Sequence, residues 1–192
     1  MVTGFNDGNI PQAALTYQEE QGRQSFEAGK LMFMRNWPYV YSLASTDGSS
    51  VVKDKFGVAP LPGVVGVNNG VGVSSLGGHN LGMSAYSKHK GTALDFMKFI
   101  ESEEIQRFFV TQASNAPVME KLYDDPDLNK QLPYLSTLKT SIQTAMPRPV
   151  TPYYPAVTKA IQDNSTDALK GSKSVDQALT DMGNAIKAAS GS

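Results

Sequence analysis

The sequence predicts a helix-rich α/β fold, and three features of the 192-residue chain favour that class. Apolar residues recur at helical spacing in several long segments. Between these segments lie short apolar or alternating runs, which are typical of strands. Two stretches rich in Gly or Pro, residues 61–78 and 146–155, interrupt the regular patterns. Because 40% of the residues are hydrophobic, the chain can bury a core, which argues against an intrinsically disordered protein.

The first third of the chain predicts one helix and two short strands. Residues 17–30 are predicted to form a helix that ends near Gly29, because glycine commonly follows the last helical turn. The apolar run at residues 31–34 predicts a buried strand. Residues 56–60 predict a second short strand, which stops at its terminal proline.

Glycine dominates residues 61–78, so we expect a flexible connection here, or strands that cross between two bodies. Alternation of apolar and polar residues at 80–85 predicts a further strand. The rest of the chain is predicted to be mostly helical. Helices are expected after an N-cap at Ser87, after an N-cap at Ser102, from Leu128 to Leu138 with a break at Pro133, from Val157 to Gly171, and after a capping box at Ser174 and Gln177.

Charge and residue usage exclude several classes of function. The 17 basic and 18 acidic residues nearly cancel, and this balance argues against a nucleic-acid-binding protein. The absence of Cys excludes disulfides, thiolate metal sites and a Cys nucleophile, and the two His argue against a His-rich metal centre. The sequence also lacks the phosphate-loop, dinucleotide, serine-hydrolase and zinc-protease motifs. We therefore predict neither a metal nor a cofactor.

Aromatic and polar residues at the ends of predicted elements are the remaining candidates for a site. A sugar presents C–H patches that flat rings cover, and hydroxyls that Arg, Asn and backbone N–H groups bind. Paired glycines allow the backbone to approach such a ligand closely. For each aromatic the alternative is ordinary packing, and for the arginine it is a salt bridge that orders the proline-rich loop. The candidates are Trp37, Tyr39, Gly77, Gly78, His79, Arg148, Tyr153 and Tyr154.

Several motifs, in the same order along the chain, resemble those of bacterial extracellular solute-binding proteins of family 1, which serve ABC importers of maltose, trehalose and related sugars. The match with the family's FxxGKxxFMRNWPY stretch, at residues 26–39, is the longest. Its GVAPLPG crossing is matched at residues 56–63, and its GGWNLAI element at 77–83. The match continues in order at residues 87–90, 116–118 and 148–153.

The resemblance implies a periplasmic-binding-protein-like fold of type II, with two hinged lobes. Only the C-terminal half of the family's proteins is matched, so we expect a helix-rich C-terminal portion of that fold, without the N-terminal half and its signal region. Residues 1–60 would be a second-lobe segment and residues 61–126 the crossing and a first-lobe segment. Residues 127–192 would be a second-lobe segment that includes the C-terminal helices.

By the same resemblance, the eight candidates would contact an oligosaccharide of the maltose or trehalose type. His79 stands where the family often has tryptophan, which leaves the identity of the sugar open. The expected partners are the sugar, an ABC permease for the full-length protein, and either the missing N-terminal half or a second copy of this chain. The expected location is extracytoplasmic, in the periplasm or lipid-anchored. Two alternatives to a non-enzymatic binding protein stay open, a glycosidase and an interaction fragment that binds no ligand.

Overall fold

A computed structural model of the chain describes residues 1–67 and 70–190. Residues 68 and 69 of the predicted connection, and residues 191 and 192 of the predicted last segment, lie outside this description. The described α-helices are α1 (Val2–Asn6), α2 (Glu19–Glu27), α3 (Tyr39–Thr46), α4 (Lys90–Ile100), α5 (Glu103–Ala113), α6 (Pro126–Gln131), α7 (Leu135–Gln143), α8 (Tyr154–Leu169) and α9 (Val175–Ser190). Two strands, β1 (Ser75–Leu76) and β2 (Met146–Pro147), and two 3-10 helices, Gln12–Leu15 and Glu120–Tyr123, complete the described elements. No helix among the described residues has the length and apolarity needed to span a membrane.

Contacts within the chain divide it into two units. The terminal unit consists of Met1–Gly22 together with the chain from Arg148 onward, and the middle unit is Arg23–Pro147. Each unit is defined by the contacts that residues of this chain make with one another. The predicted lobe assignment concerns the two-lobed fold as a whole, so it stays a prediction.

The terminal unit is built on a hairpin of α8 and α9, with α1 packed against α8. Its buried apolar residues are Phe5, Val157, Ala160, Ala168 and Ala178. Helix α8 ends as predicted before Gly171, which has a φ of +73°, a conformation that favours glycine. The N-cap of α9 is also confirmed, because the hydroxyl of Ser174 accepts the N–H of Gln177 at 3.2 Å.

The middle unit has its core where α5, α6, α7 and the second 3-10 helix meet. The buried cluster comprises Val110, Leu122, Tyr123, Leu128, Leu132, Tyr134 and Leu135. Two phenols of the cluster are satisfied by backbone oxygens: Tyr123 donates to Pro117 at 2.7 Å and Tyr134 donates to Ser114 at 3.3 Å. Burial in this core raises the pKa of Tyr123 to about 12. Apolar packing and paired hydroxyls together fix the arrangement of these helices.

Most of the predicted helices of the middle unit are present. Helix α2 lies within the predicted range and stops shortly before Gly29, whose φ is +70°. Ser102 is the N-cap of α5, as predicted. The predicted break at Pro133 separates α6 from α7. The N-cap at Ser87 is wrong: His89 precedes α4 directly, and the Ser87 hydroxyl instead accepts the His89 N–H at 3.1 Å.

The predictions of strands at residues 31–34, 56–60 and 80–85 are wrong, because all three ranges are irregular. The predicted burial also fails at Met32 and Phe33, which are 84% and 85% exposed. A strand is held by hydrogen bonds to a neighbouring strand, and none of the described residues provides one for these ranges. The strands that do form, β1 and β2, pair in parallel with Ser75 opposite Met146.

The glycine-rich stretch is partly ordered by a local crossing. Pro62 and Val71 form an isolated antiparallel bridge. A Cβ atom added at Gly63 would collide with the carbonyl of Gly70, and one at Gly72 would collide with the carbonyl of Leu61. The close approach of the backbones therefore requires glycine at these two positions. A flexible connection alone, as one of the two predictions for this stretch, would not require it.

Candidate functional site

Trp37 lies on the surface of the middle unit, immediately before helix α3. Its side chain is 55% exposed, so it is not a core residue of this chain. The Trp37 backbone N–H donates to Oδ1 of Asn36 at 2.7 Å, and Pro38 follows as the N-cap of α3 with a φ of −58°. Proline suits this position because it fixes φ near the helical value and lacks an N–H. The backbone that carries the indole is thus held from both sides.

The guanidinium of Arg35 lies over the indole ring. Its Cζ atom is 5.9 Å from the ring centroid of Trp37, within the range of a cation–π contact. Arg35 is exposed and makes no ion pair with a carboxylate in residues 1–67 or 70–190. Sequence reasoning missed Arg35, although its position two residues before Trp37 in a non-helical segment is a signal that both side chains lie on one side.

Tyr39 is the first residue of α3 and is half-buried. It follows Trp37 by two residues, across the proline. The helix begins here, so the orientation of the phenol is tied to the first turn of α3. Tyr39 is therefore placed close to the indole along the chain, in a more enclosed position than Trp37.

The residues Gly77, Gly78 and His79 form an exposed, irregular segment directly after β1. A Cβ atom added at either glycine would meet nothing within 4 Å. The packing of the described chain therefore does not require glycine at these positions, in contrast to Gly63 and Gly72. A close approach of ligand to this backbone stays a prediction.

In the terminal unit, Arg148 and Tyr154 form a second cation–π contact. The Cζ atom of Arg148 is 5.7 Å from the ring centroid of Tyr154, which is the first residue of α8. The nearby Thr158 hydroxyl and the Arg148 charge hold the pKa of the Tyr154 phenol below its ordinary value. The described residues place no carboxylate in an ion pair with Arg148, so the alternative of a salt bridge is not seen there.

Tyr153 precedes α8 and is 49% exposed. Its backbone N–H donates to the hydroxyl of Thr151 at 3.3 Å, which orders the end of the proline-rich segment. The two neighbouring tyrosines thus differ: the ring of Tyr154 is covered by an arginine, while Tyr153 keeps half of its surface exposed. Of the predicted site residues, the structure brings Arg148 into contact with Tyr154, while Trp37 and Tyr39 are neighbours along the chain.

A cavity of about 390 Å³ in the middle unit is lined by none of the predicted site residues. It lies between α2 and the turn after α3, where Arg23 pairs with Glu27 at 2.5 Å. Across the described part of the chain, no group of three or more His, Asp or Glu side chains is placed to hold a metal ion. What the predicted residues offer is flat rings and hydrogen-bond donors.

The family is decided by the sequence match of residues 2–107 to bacterial extracellular solute-binding proteins. The chain belongs to this family. A probable ABC transporter-binding protein of Deinococcus radiodurans is 36% identical over 150 residues, which are 78% of this chain and 35% of that protein. The chain therefore spans about a third of the length of this curated relative.

Solved structures of solute-binding proteins confirm the predicted fold class. The maltose-bound MalE3 of T. maritima superposes with a TM-score of 0.85 at 31% identity, over 97% of this chain and 49% of that one. A ribitol complex of an ABC transporter solute-binding protein from Agrobacterium radiobacter has a TM-score of 0.76 at 22% identity, covering 98% and 48% of the two chains. A cyclo/maltodextrin-binding protein complexed with maltotetraose has a TM-score of 0.63 at 22% identity, covering 97% and 47%. At 22% identity these last two share the fold alone.

Proposed function

We propose that this chain supplies sugar-contacting residues of a solute-binding protein that captures a maltose- or trehalose-like oligosaccharide for an ABC importer. The observation that carries the proposal is the half-exposed indole of Trp37, held in place at the start of α3. A flat, exposed aromatic ring is the surface that the C–H face of a pyranose covers. The maltose bound by the T. maritima relative, 31% identical to this chain, supports this class of ligand.

Each predicted residue has a distinct part in this proposal. Trp37 stacks on the sugar, and Tyr39 binds a hydroxyl from the start of the same helix. The backbone N–H groups of Gly77 and Gly78, with the His79 side chain, bind hydroxyls from another segment. Arg148 and the tyrosine pair Tyr153 and Tyr154 form the remaining contacts.

The mechanism we propose is capture without chemistry. Open and closed forms interconvert by rotation at a hinge, and the sugar stabilises the closed form because only that form contacts it from both lobes. A membrane permease then recognises the closed form on the outer side of the cell membrane, where the protein is periplasmic or lipid-anchored. In this assignment, residues 1–60 and 127–192 belong to the second lobe, and residues 61–126 form the crossing and part of the first lobe.

Calorimetry on the complete protein with maltose, trehalose and maltotriose tests the proposal. We expect Trp37→Ala to weaken binding of the preferred sugar by more than about tenfold, equivalent to about 1.4 kcal/mol. Tyr86→Ala is the control, because Tyr86 is an aromatic residue with 94% exposure outside the predicted site. Unchanged affinity of the Trp37 variant would remove this residue from the site.

Chromatography of the sugar after incubation distinguishes capture from hydrolysis. We expect the oligosaccharide to be recovered intact, because the proposal involves no bond breaking. A glycosidase would need two carboxylates at opposite sides of the scissile bond, about 5–10 Å apart. Shorter sugars in the incubated sample, absent from a heat-inactivated control, would contradict the proposal.

A further inference from the structure

We propose that Arg35 is a positioning residue for Trp37: its guanidinium covers one face of the indole and leaves the opposite face for the sugar. This inference rests on the proposed function and deepens it. A surface indole held only by its backbone can rotate about its side-chain bonds and present either face. The contact with Arg35, at 5.9 Å from the ring centroid, selects one of these arrangements.

Arg35 is suited to this role because its positive charge is not paired with a carboxylate among the described residues. It makes no ion pair with a carboxylate in the described ranges 1–67 and 70–190, and its side chain is exposed. A guanidinium is planar and more weakly hydrated than an ammonium group, so it stacks well on an aromatic face. Among the described residues, the contact that the structure records for the Arg35 guanidinium is with the Trp37 indole.

The backbone between the two side chains fixes their separation. Oδ1 of Asn36 accepts the Trp37 N–H at 2.7 Å, and Nδ2 of the same residue lies 3.6 Å from Sδ of Met34. These contacts hold the three-residue segment in one conformation. Ordering a side chain before binding removes part of the entropy cost that the ligand would otherwise have to offset.

The contact recurs at a second predicted ring. In the terminal unit, Arg148 lies 5.7 Å from the ring centroid of Tyr154, and it too makes no ion pair within the described residues. Two of the aromatic candidates thus each have one face covered by an arginine. This recurrence, in a different unit and from a different segment, supports a common device for orienting the rings.

Ligand-free fluorescence quenching tests the contact itself. Trp37 is the single tryptophan of this 192-residue sequence, so in this chain its emission reports this site alone. Arg35→Met removes the charge and keeps an unbranched side chain. We expect the iodide quenching constant to fall by at least about twofold, since a nearby cation concentrates anions, while quenching by neutral acrylamide does not fall. Lys187→Met, which removes one exposed charge from α9, should leave both constants unchanged.

The affinity for maltose and trehalose tests the consequence in the complete protein. We expect Arg35→Met to weaken binding by about two- to fivefold and Arg35→Lys to restore most of it, because the cation over the ring is retained. Equal thermal melts of the three proteins exclude a folding defect as the cause. If Arg35→Met lowered the iodide quenching constant but left the affinity for the sugar unchanged, the positioning role would be overturned and the proposed function would still hold. Iodide quenching unaltered by Arg35→Met would overturn the contact, and a wild-type protein that binds no sugar would overturn the proposed function and this inference with it.

Discussion

Ser114 has a backbone conformation that serine seldom adopts. It follows α5 with a φ of +53°, in the left-handed region, and is 1% exposed. Its hydroxyl is buried without a hydrogen-bond partner among the described residues, while its carbonyl accepts the phenol of Tyr134. Both the positive φ and the unpaired hydroxyl are unfavourable, so this helix end is held by its surroundings.

We expect Ser114→Gly to raise the free energy of unfolding by about 1 kcal/mol, because glycine adopts a positive φ freely and brings no hydroxyl. Urea denaturation monitored by circular dichroism measures the change. Ser114→Ala is the matched control: it removes the hydroxyl but keeps a Cβ atom at a positive φ, so its gain should be smaller. A glycine variant less stable than the alanine variant would contradict this explanation.

The candidate site shows how far individual residues can be predicted. Its position at the end of a predicted element makes Trp37 a candidate, and the structure places its side chain on the surface. Arg35 was not predicted, because a cation–π contact depends on side-chain geometry that a motif does not specify. Whether Gly77, Gly78 and His79 face a ligand depends on groups that this chain's own packing does not define.

Helix α6 depends on one carboxylate that both caps its N-terminus and makes an ion pair. Oδ1 of Asp125 accepts the N–H groups of Asp127 at 3.0 Å and Leu128 at 2.9 Å. The Arg107 side chain pairs with Oδ2 at 2.6 Å. These partners, Arg107 first, lower the pKa of Asp125 from 3.8 to about 2.

The sign of the pH dependence follows from this lowered pKa. A carboxyl that is more acidic in the folded chain than in the unfolded chain stabilises the fold fully above its unfolded pKa. That stability is lost as the pH falls from about 4 towards 2. We expect Asp125→Ala to lower the melting temperature at pH 7, and the difference from the unmodified chain to become much smaller at pH 2.

Thermal melts between pH 2 and pH 7 measure this dependence. Asp125→Asn should lie between the other two proteins at pH 7, because asparagine caps a helix well but cannot pair with Arg107. The difference between its melting temperature and that of the unmodified chain should shrink as the pH falls through the window in which Asp125 titrates. If Asp125→Ala lowered the melting temperature by the same amount at pH 2 and at pH 7, the charge of Asp125 would not be the cause of the destabilisation.

Helices were predicted better than strands for a physical reason. The apolar stripes of α4, α5 and α9 and the N-caps of α5 and α9 are local, so a short window of sequence contains the information. A strand needs a hydrogen-bonded neighbour that comes from elsewhere in the chain. Residues 31–34 have the composition of a strand but no such neighbour in the described chain, so the pattern predicted more regular structure than forms.

At the level of the whole chain, many large apolar side chains are exposed to solvent. Phe96 and Phe99 of α4 are 56% and 55% exposed, and Phe108 of α5 is 56% exposed. Contiguous apolar surface on a protein in water favours association with another surface. We therefore expect this 192-residue chain, on its own, to self-associate at micromolar concentration.

Sedimentation velocity over a range of concentrations measures the assembly. The double variant Phe96→Ser and Phe99→Ser should shift the distribution towards the monomer, because these residues are three apart on α4 and both are more than half exposed. Tyr86→Ser, at a residue 94% exposed but outside α4, should not. A single monomeric species at every concentration would contradict the expectation.

The hairpin of α8 and α9 has a consequence for the order in which the chain folds. Its helices are joined by a connection that runs only from Lys170 to Ser174, and Lys173 in that connection pairs with Asp167 on one side and Asp181 on the other. A short loop loses little entropy when it closes, so such local contacts form early. The cluster around Leu122 instead joins residues from Val110 to Leu135 through several turns. The α8–α9 hairpin is thus able to acquire native structure before the cluster around Leu122 is complete.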